Sequence, residues 1–94
     1  MEIKFVQTCG GCPEQYDAFD ENGKLVGYLR LRHGHFRVDF PDIRGETIYE
    51  ATPKGDGGFF PEEKEFYLEM AKKAIELKLK EVEMKKAREE KEYG

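Results

Sequence analysis

The chain has 94 residues, of which 38% are charged and 38% hydrophobic, and its formal net charge is −4. This length suits one domain with a modest core, and the acidic balance argues against a general nucleic-acid coat. No apolar run approaches the roughly 20 residues that span a bilayer, and MEIKFVQT lacks the features of a signal peptide. We therefore expect a single cytoplasmic domain over residues 1–94, in which free cysteines stay reduced.

Residues 1–53 predict an antiparallel β-meander. Alternating apolar and polar residues indicate strands at Ile3–Thr8, Gln15–Asp20 and Glu46–Thr52. Asn22-Gly23 and His33-Gly34 are typical of two-residue hairpin turns, and they delimit a third and a fourth strand at 25–32 and 35–40. The sheet is therefore expected to have four or five strands.

The two predicted turns also fix which residues face each other. On the apolar face the expected pairs are Leu31 with Phe36, Leu29 with Val38 and Gly27 with Phe40. On the other face they are Phe19 with Val26, Asp17 with Tyr28 and Arg30 with Arg37. Facing like charges destabilise a strand pair, so an acid of the chain or a bound anion is expected to neutralise the two arginines.

A Gly-rich turn at residues 54–60 separates the meander from a long helix predicted over residues 61–93. Pro61 suits the first helical position, and the glutamates after it complement the positive end of the helix dipole. Apolar residues at helical spacing from Phe66 to Val82 predict the face that packs on the sheet. The helix would be roughly 48 Å long and a strand only about 24 Å, so the polar end after Met84 should overhang.

The fold class expected is α+β, with the antiparallel meander covered on one face by this helix. Ion pairs four residues apart are expected along the helix, namely Glu69 with Lys73, Glu76 with Lys80 and Glu81 with Lys85. The overhang has two interpretations: a solvated tail, or a segment that contacts a partner or a second copy through Leu79, Val82 and Met84. The chain is accordingly expected as a monomer or as a dimer through its C-terminal helix.

The sheet face that the helix leaves open is the first candidate site. It is predicted to carry Tyr28, Arg30, Arg32, His35 and Arg37. Arginines beside an aromatic ring suit an acidic protein partner, and they also suit the phosphates and bases of nucleic acid. The acidic partner is favoured because the remaining surface would repel a long polyanion. The alternative is a solvated face on which the arginines pair with nearby acids, namely Asp17, Asp39, Glu46 or Glu50.

The second candidate is a zinc site, the one cofactor that the residues suggest. Cys9 and Cys12 have the spacing of zinc ligands, and His33 and His35 lie at the same end of the predicted meander. A redox pair is disfavoured because Pro13 and a strand follow, so that no helix dipole lowers a thiol pKa. Two plain reduced thiols are the interpretation without a metal.

No hydrolytic constellation is visible, since the chain contains no serine, and we expect a protein that is not an enzyme. Antiparallel strands followed by a Gly-rich loop and a helix look somewhat like the core of GCN5-related acetyltransferases, whose loop amides hold the pyrophosphate of acetyl-CoA. The resemblance implies a degenerate acyl-CoA site at Lys54, Gly55, Gly57 and Gly58. The loop departs from the family's R/Q-x-x-G-x-G/A pattern, and Asp56 puts a carboxylate where the anion binds.

Two further stretches, CPEQYD at residues 12–17 and GYLRLRHG at residues 27–34, resemble small uncharacterised proteins encoded in bacteriophages and prophages of gut Gram-positive bacteria. The similarity covers most of the chain up to the helix. It implies an accessory protein that binds a host factor, and it implies no catalytic residue. The function expected is therefore a small non-enzymatic binding or regulatory protein that uses its cationic face.

Overall fold

The computed structural model describes residues 2–9 and 14–93, and the side chains of residues 2–8 and 14–86. The described elements are β1 (Lys4–Cys9), β2 (Glu14–Phe19), β3 (Leu25–Arg32), β4 (His35–Phe40), β5 (Glu46–Ala51) and α1 (Pro61–Tyr93). The five strands form one antiparallel sheet in the order β1-β2-β3-β4-β5. The α+β meander with one long C-terminal helix is thus confirmed.

The turn between β3 and β4 forms as predicted. His33 and Gly34 both have positive φ, 52° and 73°, as in the two-residue turns whose twist matches that of the flanking strands. The register follows from it, with Leu31 facing Phe36, Leu29 facing Val38 and Arg30 facing Arg37. The Gly34 amide also donates a hydrogen bond of 2.6 Å to the carbonyl oxygen of Asp56, which ties this hairpin to the Gly-rich turn.

The connection between β2 and β3 is longer than the predicted two-residue turn. The Gly23 amide donates to the Asp20 carbonyl at 3.0 Å, and the Asp20 amide donates to the Lys24 carbonyl at 2.9 Å. Asp20 Oδ1 accepts further bonds from the amides of Asn22 and Lys24, and Gly23 has a φ of 80°. This is a type I turn closed by a glycine in the left-handed conformation, which makes a three-residue loop.

The longer loop changes the pairing only near the turn. Phe19 faces Leu25 rather than Val26, so that part of the predicted register was wrong. A bulge absorbs the extra residue, and Asp17 faces Tyr28 as predicted. Val26 is the residue left without a facing partner, and it is 2% exposed within the core cluster instead of lying at the end of the open face.

The core lies between α1 and one face of the sheet. Its buried members are Ile3, Tyr16, Ala18, Val26, Leu29, Leu31, Phe36, Val38, Ala71 and Ile75. The Phe36 ring meets the rings of Tyr49, Phe59 and Tyr67 edge to face, at centroid distances of 5.0 to 6.1 Å. Gly27 lets the helix approach, because a Cβ at that position would lie 2.8 Å from Ile75 Cδ1.

The apolar residues of α1 divide between two sides of the helix. Ala71 and Ile75 are fully buried, and Leu79 packs against the core. Phe66 and Leu77 were predicted to pack on the sheet too, but they are 58% and 68% exposed. The reason is geometric: Leu77 follows Ile75 by two residues, which is about 200° around the helix. Leu79, one of the residues predicted to contact a second copy, is partly buried and packs against the core cluster.

None of the three predicted helical ion pairs forms between the described side chains. Lys78 instead lies 2.6 Å from Glu46 on β5 and 3.9 Å from Glu81. The hydrogen bond to Glu46 raises the pKa of Lys78 above its ordinary value. The contact between Lys78 and Glu46 therefore fastens the side of the helix to the edge strand of the sheet.

Candidate functional site

Side chains of β3 and β4 that point away from α1 meet in a hollow on the open face of the sheet. Its volume is about 360 Å³, and it is lined by Arg30, Arg32, His33, His35 and Arg37. We call this set the arginine hollow. It holds four of the five residues predicted for the binding face and adds one, because the tight turn places its first residue beside the strands. None of the described carboxylates lines it.

The like charges of Arg30 and Arg37 face each other directly, as the predicted register requires. Arg37 Nε lies 3.3 Å from Asp39 Oδ2, and this carboxylate is 2% exposed and accepts a hydrogen bond of 2.9 Å from Thr47 Oγ1. Arg30 makes no ion pair with a described residue. The described residues therefore supply a nearby counter-charge for Arg37 and none for Arg30.

The floor of the arginine hollow contains two buried donors. The Nε groups of Arg30 and Arg37 are buried and donate no hydrogen bond within the described part of the chain, although Arg37 lies close to Asp39. A buried donor without an acceptor destabilises a protein by about 1–3 kcal/mol.

The rim of the arginine hollow is exposed. His35 Nε2 lies 3.0 Å from Glu50 Oε1, and both side chains are open to solvent. Arg32 faces His35 across the two strands, is also exposed, and makes no ion pair with a described residue. Arg30 on the floor and Arg32 on the rim are thus the two guanidinium groups of the hollow that lack a carboxylate partner in the part of the chain that is described.

Tyr28 does not belong to the arginine hollow, although the predicted binding face included it. Its side chain is 6% exposed and lies between Asp17 and Asp39 on the neighbouring strands. Burial raises the pKa of the Tyr28 hydroxyl, while the charges of Arg30 and Arg37 act in the opposite direction. The face therefore offers cations without a Tyr28 ring on which a base could stack.

The predicted zinc ligands are only partly described. Cys12 and the side chain of Cys9 lie outside the described residues. His33 and His35 line the arginine hollow, where the second of them contacts Glu50. Within residues 2–8 and 14–86, no group of three or more His, Cys, Asp and Glu side chains is arranged to hold a metal ion.

The backbone amides of the Gly-rich turn bind a carboxylate of the same chain. Glu63 accepts hydrogen bonds from the amides of Lys54 and Gly55, both at 2.8 Å, and from Phe60 at 3.0 Å. Partial burial opposes ionisation, but these hydrogen bonds outweigh it and lower the pKa of Glu63. A side chain on Gly55 would collide with the Gly58 carbonyl. Glu63 thus stands where the acetyltransferase resemblance would place a pyrophosphate.

Glu14 is a buried acid to which no sequence pattern assigned a role. It is 8% exposed, its amide donates to the Gly57 carbonyl at 2.9 Å, and its Oε1 accepts from the Phe59 amide at 3.1 Å. Its Oε2 accepts from the Tyr16 hydroxyl and lies 3.5 Å from Lys64 Nζ. Burial, and then the bond to Glu14, raises the pKa of the Tyr16 hydroxyl. Glu14 therefore joins β2, the Gly-rich turn and the start of α1.

A comparison of the chain with protein-family models, curated proteins and solved structures finds no match. The resemblance to phage and prophage proteins stays a prediction. Among the described residues, no helix is both long enough and apolar enough to cross a membrane.

Proposed function

We propose that the protein is a small non-enzymatic binding protein that takes an acidic segment of a partner protein into the arginine hollow. The observation that carries this proposal is a hollow lined by three arginines and two histidines, in which Arg30 and Arg32 have no carboxylate partner among the described residues. Carboxylate oxygens are the acceptors in proteins that arginine binds in short, charge-assisted and often bidentate hydrogen bonds. An aspartate or glutamate side chain of the partner would pair with these two guanidinium groups.

An acidic protein segment fits this site better than nucleic acid does. Single-strand binders combine a cationic track with exposed aromatic rings, and the ring of Tyr28 is buried. The hollow of about 360 Å³ is at the small end of ligand pockets, which suits side-chain groups. The net charge of −4 opposes a long polyanion that would run over the rest of the surface. A role as a phage or prophage accessory protein, with a host factor as the partner, is the further expectation that the resemblance adds.

The test uses a short glutamate-rich peptide as the probe and the Nε–H signals of Arg30 and Arg37 in NMR spectra as the readout. Because both groups are buried, their protons exchange slowly with water and report directly on the floor of the hollow. We expect both signals to shift when the peptide is added. A single-stranded oligothymidylate of the same charge is the competing probe, and tighter binding of this probe would contradict the choice of an acidic protein.

Substitution at the rim supplies the second measurement. Arg32→Gln should weaken peptide binding roughly ten- to hundredfold, because a charge-assisted hydrogen bond contributes about 1.5–3 kcal/mol. Arg32 is exposed, so the variant should keep the fold. Arg44→Gln, which removes an exposed arginine outside the hollow, is the matched control and should bind as the wild type does. Unchanged Nε–H signals with every anion would refute the proposal.

A further inference from the structure

The outer side of α1 carries a line of apolar side chains. Phe66, Leu77 and Met84 are 58%, 68% and 65% exposed, and Met70 is half-buried. Met70, Leu77 and Met84 are spaced by seven residues, and Phe66 precedes Leu77 by eleven, so the four recur after about two or three helical turns. They therefore lie along one side of the helix, and we call them the outer stripe.

The outer stripe has the spacing by which helices pack against other helices. A repeat of seven residues keeps an apolar line facing a partner helix, and a contiguous exposed apolar surface on a small protein marks an interaction site. Beside the stripe a cavity of about 590 Å³ opens between α1 and β5, and it is lined in part by Ile48, Tyr49, Ala74 and Leu77. This cavity gives the side chains of a neighbouring helix room to pack.

The charges along one flank of the outer stripe indicate which partner helix packs against it. Glu69, Lys73, Glu76 and Lys80 alternate in sign at spacings of four, three and four residues, and none of them forms an ion pair with a described residue. Read from the other end, the same pattern has the opposite signs. Two identical helices can pack antiparallel about a two-fold axis that passes level with residues 74–75. In that arrangement, this flank of one helix lies against the same flank of the second helix. Each acid of one copy then lies level with a base of the second copy, Glu69 with Lys80 and Glu76 with Lys73.

The same axis also aligns the apolar side chains. Phe66 of one copy comes level, within one residue, with Met84 of the second copy. Met70 comes within about half a helical turn of Leu77 of the second copy. A single alignment thus matches both the apolar line and the four unpaired charges, which is the self-complementarity that a two-fold interface requires.

We propose that a second copy of this chain docks on the outer stripe as an antiparallel, two-fold helix pair. The residues on the sheet side of α1, such as Ile75, stay within each copy, so each fold is kept intact. The arginine hollow lies on the opposite face of the sheet and stays open in the dimer. The inference is independent of what the hollow binds.

Sedimentation velocity over a wide range of protein concentrations tests the dimer. We expect the wild-type chain to shift from one chain to two as the concentration rises. Leu77→Gln should weaken the dimer, since it places a polar group in the centre of the outer stripe at a site too exposed to affect the fold. A wild-type chain that stays monomeric at every concentration would overturn the proposal.

Two charge-reversed variants test the antiparallel alignment. Lys73→Glu with Lys80→Glu makes the flank wholly acidic, and Glu69→Lys with Glu76→Lys makes it wholly basic. Each variant alone should dimerise roughly ten- to hundredfold more weakly than the wild type, because four attractive contacts become repulsive. An equimolar mixture of the two should form a heterodimer, which a variant that merely fails to fold would not do.

The matched control is Lys86→Glu, the same charge change nine residues after Leu77 and therefore on the other side of the helix. It should dimerise as the wild type does. Circular dichroism confirms the helix content of each variant. A dimer that neither charge set weakens, or a mixture that stays monomeric, would show that the flank of the outer stripe is not the interface.

Discussion

Glu63 closes the N-terminus of α1 through its contacts with the preceding turn. It is the third residue of the helix, and its bond from the Phe60 amide is half of a capping box, while the amides of Lys54 and Gly55 add two more donors. A glutamate at this position next to the helix dipole was visible in the sequence. Its two contacts with the Gly-rich turn were not, because they depend on how that turn folds back.

The charge of Glu63 should make the stability of the fold depend on pH. Because the pKa of Glu63 is lowered in the folded protein, its ionised form stabilises the fold above the ordinary carboxyl pKa. This contribution is lost as the pH falls through the lowered value. Glu63→Gln should therefore reduce the free energy of unfolding at neutral pH, and the difference from the wild type should vanish in acid.

Urea denaturation of both proteins at several pH values measures that difference. Glu62→Gln is the control, since the neighbouring glutamate accepts no hydrogen bond from a described residue. If Glu63→Gln were equally destabilising at neutral and acidic pH, the side chain would act through its shape and not through its charge.

At the scale of the element, the hairpins show what local sequence can predict. His33-Gly34 determined its turn type, and with it the direct opposition of Arg30 and Arg37, because φ values and register are set within a few residues. Asn22-Gly23 was misread as a two-residue turn, because the side chain of Asp20 binds two amides of the loop and favours the three-residue form. The bulge at Val26 then restored the register, which no local signal predicted.

The helix shows the limit of periodicity as evidence. Apolar residues on both sides of α1 formed one broad predicted face, although Ile75 is buried and Leu77 is exposed. Periodicity places residues around a helix, but the part of the helix that a sheet covers depends on where the helix crosses it. In this protein, Gly27 helps to set where the helix crosses the sheet, since it leaves room for Ile75 to approach β3.

The close contact between Gly27 and Ile75 predicts a non-additive pair of substitutions. Gly27→Ala places a Cβ 2.8 Å from Ile75 Cδ1, and overpacking of this kind destabilises a core by about 1–3 kcal/mol. Ile75→Val removes the Cδ1 atom and should itself destabilise by about 0.5–1.5 kcal/mol. In the double variant the new methyl group finds the vacated space. The combined loss, measured by chemical denaturation, should therefore be smaller than the sum of the two single losses. Additive losses would mean that the helix shifts away from β3.

At the scale of the whole molecule, the charge of the arginine hollow is opposite in sign to the net charge of the chain. The arginine hollow is cationic, whereas the chain as a whole carries a net charge of −4. The hollow is thus a local cationic feature of a chain that is acidic as a whole. An anion is attracted where it touches the hollow, and the negative net charge of the chain opposes a ligand that extends beyond it. This contrast predicts how the affinity for an anionic ligand depends on the length of the ligand and on the salt concentration.

We expect the affinity for a short glutamate-rich peptide to fall as salt is added, because screening shortens the electrostatic range from about 10 Å at 0.1 M to about 3 Å at 1 M. Lengthening the peptide should bring no further gain at low salt, since additional glutamates would lie outside the hollow on a chain whose net charge is −4. Calorimetric titration of a short and a long polyglutamate at two salt concentrations measures both effects. Affinity that rises steadily with length would show that cationic contacts continue beyond the hollow, and affinity that is insensitive to salt would show that the contacts with its arginines are not ionic.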